Sequence, residues 1–313
     1  MRLRITSGGM LLAAGLAVLG VMAALIIAGL EQAPYWTNDV WAGGHTSNAI
    51  ILPPFPPLSN LYLFNVDLSA HAQHLFLFGS DGAGRDLLAL IARAAIPSLE
   101  LVGMVVLARF VLGTLFGMAM GFGSTTARTA AQALGSVVIG FPYLALAAVA
   151  IQGLTPKGRP IAFVIGMALV GWRDIAELVA ERVEHVRSQS FAVAARALGT
   201  DGLRFFRLHV IPFLRPAIGV EVPFQVSAAL VLLAELGYIQ VFLGPTIALE
   251  NYGGPATVVI TKPELGQLLS LTREYIVAGQ FWPAIAPALA IAVVALGFEL
   301  IGTAVRGRTR LGG

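Results

Sequence analysis

The chain has 313 residues, of which 57% are apolar and only 12% charged, with a mean hydropathy of +0.81 and a formal net charge of +3. A soluble domain carries about a quarter of its residues as charges, so most of this chain has lipid as its solvent. Cysteine is absent, which excludes disulfide frameworks, thiol nucleophiles and thiolate metal sites.

A helix needs about 20 apolar residues to cross the hydrocarbon core, because no backbone polar group can be left unpaired there. The first such stretch, residues 10–30, follows Arg2 and Arg4. Its apolar run exceeds the roughly 7–15 residues of a cleaved leader, so it is read as a retained span. Residues 31–97 follow, rich in Pro and aromatics (Trp36, Trp41, Pro53, Pro54, Pro56, Pro57), and are expected to form an ordered but irregular external segment. Residues 101–122 carry only Arg109, and residues 130–152 carry no charge. Residues 160–183 are weaker, since Arg173 and Asp174 interrupt them; they count as a span only if one helix runs on through Ile175 to Val183. Residues 222–249 carry only Glu235 and residues 281–305 only Glu299, with a second external segment at 251–280 between them.

Arg and Lys are retained on the cytoplasmic side. With six spans and an inner N-terminus, that side holds Arg2, Arg4, Arg128, Arg182, Arg187, Arg196, Arg204, Arg207, Arg215, Arg306, Arg308 and Arg310. The outer side holds Arg85, Arg93, Lys157, Arg159, Lys262 and Arg273, half as many. Both termini are therefore expected in the cytoplasm. Lys157 follows Pro156 and Lys262 follows Thr261, whereas a phosphate-binding P-loop needs its lysine after Gly and before Ser or Thr. The chain thus has no nucleotide loop of its own.

Between the fourth and fifth spans, residues 190–212 are unusually patterned for a loop. Ala194, Ala195, Ala197 and Leu198 predict a short helix that stops at Gly199, a residue suited to a left-handed C-cap. Asp201 stands at an N-cap position, and Leu203, Phe206 and Val210 then follow at helical spacing until Pro212 ends the pattern. Arg204 and Arg207 fall on the other face. Such an element either packs into a groove on a cytoplasmic partner or lies on the lipid headgroups, and composition alone leaves both open. A DNA-reading helix pair is set aside because the basic stretch is short and sits on a multi-span chain.

This stretch resembles the cytoplasmic EAA loop of binding-protein-dependent ABC importers: Ala194, Ala195, Gly199 and Pro212 match in register, while Val193 stands where the pattern has Glu. Residues 79–86, Gly-Ser-Asp-Gly-Ala-Gly-Arg-Asp, are similar to the Gly-Thr-Asp-x-x-Gly-Arg-Asp of the dipeptide, oligopeptide and nickel permease branch. Residues 263–269, Arg273-Glu274-Tyr275 and residues 282–287 resemble its signature near the last external loop and sixth span, so the ordered set covers about 79–306. The resemblance implies an all-α integral membrane protein of six transmembrane helices, with the type I ABC importer permease fold and an external insert after the first span. It divides the chain into the first span (1–30), the external segment (31–97), the transmembrane domain (98–306) with its coupling loop at 184–215, and a cytoplasmic tail (307–313).

The same resemblance implies a bacterial inner-membrane pore subunit for peptides or a similar small solute. It is not itself an enzyme and holds no cofactor. Its partners would be a second permease, read as a different chain, two ATPase subunits that bind ATP and Mg, and an extracytoplasmic substrate-binding protein, with no nucleic acid. Docking on the ATPase would fall to Ala194, Ala195, Arg196, Gly199, Asp201, Leu203, Arg204, Phe206 and Pro212. Ionisable groups inside a span usually face protein or water, which makes Glu235, with Gln225, a candidate for the solute pathway. Arg109 is read as structural, Glu299 as interfacial, Arg85 with Asp86 as a structural network, and His71 and His74 as surface histidines rather than metal ligands. A self-contained secondary transporter is the alternative, but it should show an internal inverted repeat, and none is evident. An intramembrane enzyme would need convergent polar groups within the spans, which supply almost none.

Overall fold

The computed structural model describes residues 2–36, 41–45, 49–65, 71–154, 160–200, 202–244, 246–249, 257–260 and 263–309. Helix α1 (Arg2–Trp36) precedes four strands, β1 (Gly43–His45), β2 (Ile50–Ile51), β3 (Ser59–Phe64) and β4 (His71–Phe76). Helices α2 (Leu87–Phe122), α3 (Thr125–Gly140), α4 (Tyr143–Leu154), α5 (Pro160–Ser188), α6 (Ser190–Ala197) and α7 (Gly202–Phe205) follow. A π-helical turn (Phe206–Val210) then leads into α8 (Ile211–Tyr238). A hairpin of β5 (Thr246–Leu249) and β6 (Thr257–Ile260), a 3-10 turn (Gln267–Leu269), α9 (Thr272–Val277) and α10 (Trp282–Thr309) complete the described chain.

Among the described residues, four stretches are long and apolar enough to cross a membrane: Gly8–Glu31, Leu87–Phe122, Gly202–Tyr238 and Trp282–Gly307, or five if the bent pair α3–α4 counts as one. The expected single span over 130–152 is broken, its two helices turning by 101°. Phe141 takes an extended backbone before Pro142, as a residue preceding proline tends to do. Helix α5 does run unbroken through Ile175 and Val183. Arg173, Asp174, Glu177 and Glu181 keep it less apolar than the others. The span expected to reach residue 249 ends at Tyr238, and residues 246–249 are strand.

The fold is mostly helical but not all-α, and the residues fall into two compact units, to each of which α1, α2, α8 and α10 contribute. In the unit formed by Ala17–Glu100 and Leu230–Leu296, β1 to β4 make an antiparallel sheet in the order β2-β1-β3-β4. Leu61 and Leu63 of β3 alternate with exposed Asn60 and Tyr62, and with Trp41, Phe55 and Phe76 they fill a small core. The described residues of the 31–97 segment therefore include a built sheet.

The turn before α2 is locked by charge. Asp81 accepts from the backbone N–H of Ala83 (3.0 Å) and Arg85 (2.9 Å), and from Arg85 Nε (2.9 Å) and Nη2 (2.6 Å). Asp86 caps α2 by accepting from Ala89 N–H (2.9 Å), and its other oxygen meets His74 Nε2 at 2.9 Å. The expected Arg85 and Asp86 network contains the pairs Asp81–Arg85 and His74–Asp86, and His74 is part-buried in the second. Gly84, at φ +77°, lies against Trp41, where a Cβ would come within 2.8 Å of that backbone. Burial pushes the Tyr275 hydroxyl well above its ordinary value, and it accepts from Gly82 N–H at 3.0 Å.

The other unit comprises Met1–Leu16, Leu101–Ala229 and Gly297–Gly313. Its framework is the contact of α2 with α5. Gly113, Gly117 and Gly121 line one face of α2 at four-residue spacing, and a Cβ at any of them would come within 2.6 Å of Ile175, of Ala176 and Val179, or of Val183. Small residues so spaced let two helix backbones approach closely in a membrane protein. Phe116 packs beside them on Trp172, with ring centroids 4.3 Å apart. Arg306 of α10 sits 4.3 Å over the Phe224 ring of α8.

Candidate partner-docking loop

The loop between α5 and α8 begins as expected. Helix α6 closes with Leu198 N–H donating to Ala194 O (3.1 Å) and Thr200 N–H to Ala195 O (3.0 Å), and Gly199 stands at φ +83° in open space. An L side chain disfavours that backbone, which explains why glycine occupies it. Asp201, expected as the next N-cap, lies outside the described residues, and Gly202, the first residue of α7, stands at φ +60°.

The second helical piece keeps Phe206 and Val210 on the expected face and departs from it at Leu203. Phe205, Phe206 and Val210 point inward and join Ala192 and Leu214 in a core with Ile175, Val179, Val183 and Val186 of α5. Phe122 of α2 meets both phenylalanines edge-on, at 6.0 and 6.3 Å. Leu203, expected on this buried face, is 73% exposed, whereas Phe206 is 6% exposed. The π-helical turn is the reason: its wider coil inserts a residue relative to α-helical spacing, so the inward face shifts from Leu203 to Phe205. Nor does Pro212 end the helix. It lies at the second position of α8, just after Ile211 N–H donates back to Phe206 O, so the missing proline N–H is absorbed by the π turn and the helix runs on to Tyr238.

The outward side of the loop is apolar as well. Phe191, Val193, Leu198, Leu203, Leu208 and Phe213 are all exposed, with Leu198 at 87%. Phe191 stacks on Phe213 at 6.1 Å and lies 6.1 Å from His209, so part of this row is preassembled. Ala194, Arg204 and Arg207 are exposed among them, and Arg196 belongs to α6. Behind the loop, Arg187 Nη1 donates to Gly121 O (2.7 Å) and its guanidinium lies 5.3 Å from the Phe122 ring centre, tying the end of α5 to α2. The loop is thus anchored firmly on one side and offers exposed apolar side chains on the other.

Of the candidate pathway residues, Gln225 belongs to the unit that holds the loop and Glu235 to the other. Gln225 is buried, accepting from Arg109 Nη1 (3.0 Å) and donating to Glu221 Oε1 (3.0 Å). Arg109 also donates through Nε and Nη2 to Met167 O, at 3.3 and 3.2 Å. Its guanidinium occupies the space that a Cβ on Gly171 would need. The chain Arg109–Gln225–Glu221 links α2, α5 and α8, and sequence reasoning missed it because nothing in the spacing relates residues so far apart. Glu235 is exposed on α8, in the other unit.

Residues 113–311 match the family model described as the inner membrane component of binding-protein-dependent transport systems. The chain belongs to this family. This inner-membrane component is 28% identical over 231 residues to the dipeptide transport system permease protein DppC of Alkalihalophilus pseudofirmus, covering 73% of this chain and 69% of that one. It is 24% identical over 263 residues to the oligopeptide transport system permease protein OppC of Bacillus subtilis, covering 82% and 80%. It is also 24% identical over 287 residues to the peptide transport system permease protein SapC of Escherichia coli, covering 91% and 84%. The match to the family model includes the whole 190–212 loop, α8 and α10.

Proposed function

We propose that this chain is a pore-forming permease subunit of an ATP-driven importer for peptides, and that residues 190–212 dock on a separate ATPase. The observation that carries the reading is the row of exposed apolar side chains from Phe191 to Phe213, on a loop whose opposite side is packed into the α2–α5 core. An apolar row held this rigidly suits a groove on a protein partner and transmits a push to α5 and α8. The peptide assignment is supported by the relatives, named for dipeptide and oligopeptide transport.

In this reading α5 joins the apolar helices as a further span, its polar face turned to protein or water, and the bent pair α3–α4 counts as one. That makes six spans with both termini in the cytoplasm, as the distribution of Arg requires. The pore is completed by a second permease of different sequence, ATP and Mg are held by two ATPase subunits, and a binding protein delivers solute from outside. A secondary transporter would share the broken helix α3–α4, but broken helices there come in matched pairs, and the described residues hold a single broken helix.

The test is affinity purification of the tagged protein from its native membrane, as wild type and with Leu203→Asp and Leu208→Asp. A P-loop ATPase and a second permease should accompany the wild type, and the variants should lose the ATPase while keeping the permease. Purification of the wild type alone would sink the importer reading.

A further inference from the structure

Residues 263–270 are buried without interruption although they belong to none of the apolar helices. Gly266 lies so close to Leu233 and Gly237 of α8 that a Cβ on either glycine would meet backbone. Leu265 N–H donates to Ser98 Oγ of α2 at 2.8 Å. From this segment, side chains reach back to the turn that follows α8. Glu264 Oε1 accepts from Leu243 N–H (3.2 Å), and Gln267 Nε2 donates to Gly244 O (3.0 Å). In return Gln240, at φ +63°, directs its Nε2 to Ser270 O (3.5 Å). The 240–244 turn, which leads into β5, is therefore fastened to the 263–270 segment by amides and one carboxyl.

That carboxyl is 5% exposed and forms no ion pair among the described residues. The charged and titratable groups on the elements around it are Glu235 and Tyr238 on α8, Arg93 and Glu100 on α2, and Arg273, Glu274 and Tyr275 on α9, with the Asp81–Arg85 pair beyond. None of them sets its charge. Burial pushes Glu264 up to about 7, against a smaller opposite pull from the Leu243 N–H. A buried carboxylate with a single N–H donor and no cation is costly, and a neutral carboxyl is not.

We propose that Glu264 is a proton-operated latch: neutral, it holds the 240–244 turn on the 263–270 segment; ionised, it loosens that contact. The direction follows from proton counting. The closed form keeps its proton up to a higher pH than the open form, whose carboxyl titrates at its ordinary value. Closure is therefore favoured fully below about 4.5, weakens as pH rises, and reaches its floor above about 7. The amide bonds from Gln240 and Gln267 do not titrate and keep the turn from dissociating outright. This inference stands on the local geometry and does not depend on the transported solute or on the ATPase.

The experiment is hydrogen exchange of the purified full chain in lipid nanodiscs at pH 5.5 and 8.5, read on peptides covering 240–270, for the wild type and Glu264→Gln. Dividing the wild-type rate by the variant's rate at the same pH removes the intrinsic pH dependence of exchange. The ratio should rise roughly 30-fold between the two pH values if the carboxyl moves between about 7 closed and 4.5 open. The same rise must appear in the wild type alone when its rates are normalised to those of the unfolded chain at each pH, which covers a variant that fails to fold. Glu235→Gln, an exposed carboxyl on α8, should leave the rise intact. A ratio flat with pH, or a rise that persists in Glu264→Gln, overturns the latch.

Discussion

The turn at residues 79–86 leads into α2 and the loop at residues 190–212 joins α5 to α8, and they treat polar and apolar groups in opposite ways. The turn buries its charges and satisfies each from within: Asp81 takes four hydrogen bonds, Arg85 is fully enclosed with it, and Asp86 is shared between His74 and the start of α2. The loop leaves Arg204 and Arg207 exposed, with phenylalanine, leucine and valine side chains exposed beside them. A segment whose groups are all satisfied internally is finished by folding; one that exposes apolar side chains from a rigid support is left open to a partner.

The comparison breaks most visibly at Asp81. Asp81→Ala removes the carboxylate that pairs with the buried Arg85 guanidinium, together with its four hydrogen bonds, which costs about 3–5 kcal/mol. The purified protein should show a correspondingly lower thermal midpoint in detergent, and an unchanged midpoint would mean that the turn contributes little to the fold. Phe206→Ala, in the anchored half of the loop, should cost about 3–5 kcal/mol by the same assay, because it empties the core shared with Val179 and Val183. Gly117→Ala is expected to be milder, about 1–3 kcal/mol, since its Cβ would overpack Val179 and push α2 from α5.

How much of this was legible in the sequence differs between the same two regions. The helix-glycine-helix form of the loop could be read because Gly199 is a local signal, a single residue that ends a helix by its own backbone freedom. The inward face could not, because the π turn over 206–210 changes the period, and periodicity arguments assume a constant one. Pro212 misled for the same reason. The apolar runs gave most of the helices, yet the bend between α3 and α4 and the extension of α8 back to residue 211 depend on proline being tolerated or not, which tertiary packing decides. The sheet of the 31–97 segment was hidden by short strands and many prolines. The pairing of Asp81 with Arg85 was within reach at four-residue spacing, but the partnership of His74 with Asp86, the Arg109–Gln225–Glu221 chain and the burial of Glu264 arise from contacts between distant residues.

The smallest expected effect on stability is the most informative about the loop. Leu203→Asp places a charge where 73% of the side chain is already in solvent, so the thermal midpoint should move by no more than about 0.5 kcal/mol equivalent. If the loop merely rested on headgroups, the added negative charge would weaken lipid contact, and partner proteins would co-purify unchanged. If Leu203 enters an apolar groove on a partner, the aspartate must be buried there without a counter-ion, and that partner is lost from the purified complex while the chain itself stays folded. An intact fold with a missing partner would separate the two halves of the loop: Phe206 holds the permease together, and Leu203 faces what the permease binds.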